Sequence, residues 1–192
     1  MEKVLIFDAL DHSYKVDGES LPSVTGILER TGFIDKDWFT AYSATRGTYT
    51  HRACYLYEAG TLDEAELDPA LVGYLNAYKR FLQETHWTSE VMEKPDYHQV
   101  LRYAGTPDRV GLMPGRKSIL DIKTGVPSEW HRFQTAGYSM ILDPIDYNRF
   151  ARFSLYLKSD GSYKLARYDD RNDSKIFLAA LTVYNAQRRI GK

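Results

Sequence analysis

The chain has 192 residues, 43% apolar and 14% aromatic, which suits one domain with a sizeable core and excludes a disordered polymer. Lys and Arg number 25 against 26 Asp and Glu; this near-neutral balance excludes indiscriminate coating of nucleic acid by a basic surface, though not a local basic groove. The single Cys54 excludes an internal disulfide framework, a thiolate zinc cage and a four-cysteine iron–sulfur cluster.

In chain order, residues 1–20 carry two short alternating runs, "KVLIFDA" and "HSYKVDG", and predict a hairpin. This start is too charged and alternating for a signal peptide. No apolar run reaches the roughly 18–20 residues of a membrane helix, so no membrane association is expected, and a reducing cytoplasm (a host's, for a viral protein) is the simplest compartment. Residues 21–87 read as helical. Ser23 caps a first helix that stops at Gly32, and Asp37 to Ala59 continue as helix with a break at "ATRGTYTH". Asp68 and Pro69 then open a helix with Leu71, Tyr74, Leu75, Tyr78 and Leu82 as its apolar stripe.

Residues 88–192 read as the rest of a mixed sheet. "TSEVMEKP" and "HQVLRYAGTPDRVGLM" predict strands, "PGRK" a turn and "SILDIKTG" the next strand. "SEWHRFQTAGYSMILD" predicts a helix capped by Ser128. "NRFARFSLYLKSDGSYKLARYD" predicts a hairpin with Asp160-Gly161 at its tip. "DSKIFLAALTVYNAQRRI" closes the chain as a helix. No internal repeat or linker interrupts residues 1–192, which read as one domain. The fold class is α/β (α+β): a central mixed sheet flanked by helices.

The chemistry concentrates in "YAGTPDRVGLMPGRKSILDIKTG", Tyr103 to Gly125. Side chains alternate along a strand, so Asp121 and Lys123 project to one side and Ile122 to the other, into the core. A charged pair on a central strand is costly unless something offsets it. If the turn at "MPGR" brings Asp108 beside Asp121, two carboxylates can hold a hard divalent cation. Magnesium keeps waters, and a metal-acidified water can attack a phosphodiester, with Lys123 orienting it or offsetting transition-state charge. The same local spacing also fits an Asp121–Lys123 ion pair on a hairpin surface, with Asp108 as a turn residue.

Taken together, these residues resemble the PD-(D/E)XK nuclease superfamily, and within it the RecB-like exonuclease branch. Pro107-Asp108 and Asp121-Ile122-Lys123 match the core motif. Gly105 to Asp108 match its "GxxD", Thr124-Gly125 its trailing "TG", and Gln134 to Tyr138 its Q-x-x-x-Y. "RGTYTH" supplies Arg46, Gly47 and a helix-borne His51. "LPSVTGIL" is similar to a segment of the mitochondrial genome-maintenance exonucleases and related phage proteins. The resemblance spans residues from about 21 to 140.

The resemblance implies a restriction-endonuclease-like core with an N-terminal helical wall. It implies Asp108 as central metal ligand, with Asp121, the Ile122 carbonyl and His51 as further ligands. Lys123 becomes the catalytic lysine, and Mg2+ or Mn2+, one or two ions, the cofactor. Gln134 and Tyr138 are implied near the active site and the nucleic-acid backbone. Arg46, with Arg109 and Arg132 behind it, is read as a phosphate contact. Glu93, on the strand before the motif pair, is read as a carboxylate of the site or as a solvated strand residue; Glu90 faces the other way. Glu58 is exposed-helix material by default, two turns after His51. His86, His98 and His131 match no ligand position. Trp38, Phe39, Tyr42 and Tyr49 are candidates for base stacking or for core packing.

The implied function is a metal-dependent, sequence-independent DNA exonuclease acting on single-stranded or frayed ends. A recombination exonuclease resecting duplex ends beside an annealing or single-strand-binding partner uses the same chemistry. A non-catalytic nucleic-acid-binding module on a nuclease fold is the alternative from another class, and a restriction-type endonuclease a further one. Without a Walker-type G-x-x-x-x-G-K-[ST] segment, any processivity must come from topology, oligomerisation or a partner.

Overall fold

The computed structural model describes residues 4–9, 11–35 and 40–191. The chain enters through β1 (Leu5–Asp8), β2 (Ser13–Val16) and β3 (Glu19–Leu21), an antiparallel sheet in that order. The expected hairpin gains a third strand because Asp17 and Gly18, both at positive φ, turn the chain back on itself. Helix α1 (Val24–Arg30) starts where the Ser23 hydroxyl accepts the Gly26 N–H at 2.9 Å, and Gly32 at φ 82° lets the chain leave.

Helix α2 (Ala41–Glu58) is one unbroken helix, opened by a reciprocal capping box between Thr40 and Ser43. The expected break at "ATRGTYTH" is absent. An interior glycine costs a helix about 1 kcal/mol, and burial of Thr50, Ala53 and Cys54 on the same helix offsets it. The predicted start at Asp37 and the residues Trp38 and Phe39 lie outside the described residues. Helix α3 (Pro69–Thr85), capped by Asp68 with proline in its first turn, buries Tyr74, Leu75, Ala77, Tyr78 and Phe81.

Next come β4 (Thr88–Met92), β5 (Asp96–His98), β6 (Tyr103–Gly105) and β7 (Arg109–Met113). The stretch expected as one strand up to Met113 is thus three pieces. Arg102 at φ 55° turns β5 back onto β6, and Pro107, which has no N–H to donate, ends that ladder before β7 begins. Glu93 is correspondingly not on a strand: it follows β4 at φ 47°. Strand β8 (Arg116–Lys123), helix α4 (Trp130–Leu142), strands β9 (Ala151–Leu157) and β10 (Tyr163–Tyr168) and helix α5 (Asn172–Arg189) complete the chain. Ser128 does not cap α4 with its side chain; its N–H instead donates to His131 Nδ1 at 3.3 Å.

The main sheet runs β10-β9-β8-β7-β4, with β8 and β9 parallel and every other pair antiparallel. Helices cover both faces, so β9 is buried along its whole length. Leu120 and Ile122 pack with Phe153 and Leu155 against Tyr78 and Phe81 of α3. Ile119 faces the other way, into a cluster with Ile27, Ile141 and Phe177 from α1, α4 and α5. Each fully buried side chain of this size contributes about 1.5–3 kcal/mol, which anchors β8 on both faces.

Two interior helical glycines predict opposite outcomes for one substitution. A Cβ on Gly47 would meet only Thr124 Oγ1 at 3.8 Å, so Gly47→Ala should stabilise the fold by about 0.5–1 kcal/mol. A Cβ on Gly73 would lie 1.8 Å from the Ser159 carbonyl oxygen, so Gly73→Ala should destabilise it by about 1–3 kcal/mol or more. Thermal unfolding of the two variants beside the parent checks both signs.

Candidate active site

The β7–β8 hairpin pairs Arg109 with Leu120 and continues to Met113 with Arg116 across the turn at Gly115. That register places Asp108, the next residue outward, opposite Asp121. The Asp108 carboxylate turns inward, and its Oδ2 accepts the Ile122 N–H at 2.6 Å. Asp108 sits at the bend just before β7, not inside a strand running through "HQVLRYAGTPDRVGLM".

Helix α2 brings His51 to the same point. Its Nε2 lies 2.9 Å from the Ile122 carbonyl oxygen and its Nδ1 3.4 Å from Asp108 Oδ1. Burial disfavours charge on this imidazole, but Asp108 outweighs it and holds the His51 pKa above its ordinary value. Burial likewise opposes ionisation of Asp108, yet His51, Lys123 and the Ile122 N–H keep its carboxyl below the usual carboxylate range. Asp121 behaves oppositely. It is only 1% exposed, and burial pushes its pKa up to about 6 against the pull of Lys123, with the Asp108 carboxylate adding to the rise.

Helix α4 supplies the surroundings of Lys123. The ammonium donates to Asp121 Oδ2 and to Gln134 Oε1, both at 2.9 Å, and lies 5.2 Å above the Trp130 ring. Gln134 Nε2 donates onward to Tyr138 Oη at 3.1 Å and to Thr25 Oγ1 at 3.3 Å. A Cβ on Gly105 would stand 2.8 Å from the Tyr138 ring, so only glycine lets this tyrosine close over the site. Gln134 and Tyr138, expected near the active site and the nucleic-acid backbone, are both buried; Gln134 touches Lys123, and Tyr138 touches Gln134. Trp130 escaped the sequence reading, although its place at the start of the Q-x-x-x-Y helix was a usable signal.

The arginines divide. Arg46 donates to the Thr124 carbonyl at 3.1 Å and approaches its hydroxyl at 3.4 Å, and it remains half-buried at the mouth of the site. Arg109 is no phosphate contact: it is completely buried and pairs with Glu58 at 2.6 Å. Glu58 is correspondingly not free helix surface. The two-turn spacing from His51 was the signal that it shares that helix face. Arg132 is engaged by Glu129 and by the buried Asp173. Glu93 lies 3.4 Å from Arg109 Nη1, while Glu90 faces Lys117 at 3.4 Å.

Among the described residues no three His, Cys, Asp or Glu side chains stand in an arrangement that holds a metal ion as they are. Lys123 faces Asp121, and His51 faces Asp108. The donor set nonetheless fits a hard divalent ion. It offers two carboxylates, a carbonyl and an imidazole, and oxygen-rich sets of this kind suit such cations.

Beside this centre, His131 is buried; its Nδ1 accepts the Ser128 N–H at 3.3 Å and lies 2.7 Å from the Tyr156 hydroxyl. Burial, helped by the charge on Lys123, lowers its pKa to about 3. Because the folded value lies below the unfolded one, its contribution is present above about pH 6.5 and is lost as pH falls toward about 3. Between about pH 7 and pH 5 the parent should therefore lose about 2 kcal/mol more stability than His131→Gln. Urea unfolding of both proteins at the two pH values measures the difference.

No protein-family model matches the chain, and no curated protein matches it in sequence. Solved structures are similar in fold. A protein of Eubacterium rectale assigned as an exonuclease superposes with a TM-score of 0.54 at 12% identity, over 89% of this chain and 75% of that one. An alkaline exonuclease of Laribacter hongkongensis gives a TM-score of 0.41 at 16% identity, over 88% of this chain and 92% of that one. The chain thus has the fold of the Eubacterium rectale protein, a mixed sheet flanked by helices.

Proposed function

We propose that the chain is a metal-dependent DNA exonuclease that hydrolyses phosphodiester bonds, without sequence selection, from single-stranded or frayed ends. One observation carries the reading: the β7–β8 register sets Asp108 opposite Asp121 while α2 and α4 bring His51 and Lys123 to the same spot. The fold shared with the Eubacterium rectale protein agrees with it.

In this reading Asp108, Asp121, the Ile122 carbonyl and His51 hold magnesium or manganese. The bound ion supplies Lewis-acid polarisation of a phosphoryl oxygen and a more acidic water. Lys123, steered by Gln134 and Trp130, presents a fixed positive charge where negative charge develops on the phosphoryl group. Burial of Asp121 excludes competing water from its side of the centre and strengthens each of these charges. Arg46 stands at the mouth, beside Thr124, with donors to offer a phosphate. Tyr42 and Tyr49, exposed on α2, offer rings to unpaired bases, which stack in a sequence-tolerant way. These rings favour single strands over duplex ends.

The test is digestion of end-labelled single strands, blunt duplexes and closed circles, with divalent metal or with chelator. Single-stranded ends should be degraded and closed circles spared. Asp121→Asn should reduce the rate by roughly a hundredfold to a thousandfold or more while DNA binding persists. Cleavage that survives chelator, or an Asp121→Asn protein as active as the parent, would refute the reading.

A further inference from the structure

We propose that Arg109 is a positioning residue: its buried guanidinium, braced by Glu58, fixes the orientation of Asp108 and so tunes the metal centre. The proposal rests on the reading of Asp108 as a metal-holding carboxylate.

Arg109 follows Asp108 directly and opens β7. Its Nε donates to Glu58 Oε1 at 2.6 Å, and its Nη1 reaches back to the Asp108 carbonyl oxygen at 2.8 Å. The same carbonyl accepts the Glu93 N–H at 3.0 Å, from a backbone held at φ 47°. Two donors therefore grip the Asp108 peptide from behind, while its carboxylate faces Ile122 and His51 in front. Glu58 is itself held, accepting from the Tyr78 hydroxyl and, at 2.6 Å, from Ser89 Oγ. It lies two turns along α2 from His51, on the same face of the helix.

The choice of residues argues against packing as the sole purpose. Arg109 is completely buried, and its Nη2 has no hydrogen-bond partner among the described residues. Burying such a pair is costly, and an apolar pair of similar volume would join α2 to β7 at least as firmly. An apolar pair cannot donate an N–H to the Asp108 carbonyl. That donation is what the guanidinium adds.

The experiment compares the parent, the double variant Glu58→Leu/Arg109→Met and the single variant Arg109→Lys, which keeps the charge and loses the two-armed fork. Thermal unfolding reports folding. Mn2+ binding is followed by electron paramagnetic resonance without DNA, and kcat and KM are measured on a single-stranded substrate. Residues that orient metal ligands typically change metal affinity by about 10–100-fold. We expect a folded double variant with Mn2+ affinity reduced at least about tenfold, and with the loss of rate in kcat and not in KM. Should the double variant fail to fold, Arg109→Lys is held to the same criterion. Mn2+ affinity equal to the parent's in the folded variant would overturn the proposal and leave the nuclease reading standing. Absence of Mn2+ binding by the parent would overturn both.

Discussion

The chemistry of this protein hangs on the pairing register of β7 with β8. Arg109 opposite Leu120 means Asp108 opposite Asp121. A slip of one residue would swap the faces of β8, turning Leu120 and Ile122 toward α4 and exposing Asp121 to the apolar cluster around Tyr78 and Phe81. The two faces of β8 are both buried, so the cost of that slip is paid in the core, not at the site. Hydrophobic packing thereby specifies where the carboxylates meet.

Around that pair the protein arranges its own charges. Two buried carboxylates side by side repel, and burial alone raises the pKa of both. The fold answers with one basic partner for each: His51 from α2 for Asp108, and Lys123 from β8 itself for Asp121. The result is an asymmetric pair, with Asp108 held ionised and Asp121 pushed toward the neutral form. Gln134 and Trp130 then restrict the lysine, and Thr25 of α1 restrains Gln134 in turn. The small N-terminal sheet also contributes, since Tyr14 of β2 meets Thr106 at 2.8 Å in the loop that leads to Asp108.

Much of the fold was legible in the residues. The alternation in "SILDIKTG", the Asp160-Gly161 tip and the apolar stripe of α3 each report a local periodicity, and the mixed sheet with its flanking helices followed from their order. Misreadings arose where local signals competed. Gly47 looked like a break, but packing of α2 overrode one glycine. The run through "LRYAGTPDRV" looked like one strand because its composition is strand-like, while Arg102 and Pro107 divide it through backbone geometry. Ser128 had the chemistry of a cap, yet His131 Nδ1 takes the N–H on that turn.

By itself, the sequence determined which residues could share a face: Asp121 with Lys123 on a strand, His51 with Glu58 and Gln134 with Tyr138 on helices. Spacing along one element decides those relations, because the periods of helix and strand are constant. Only the tertiary structure decided that Arg109 and Glu58 form a buried pair behind Asp108, that Gln134 turns to Lys123 and not to solvent, and that Trp130 roofs the lysine. Those contacts join elements far apart in the chain. Their distances depend on how helices seat on a sheet, which is set by the whole core and by no local pattern.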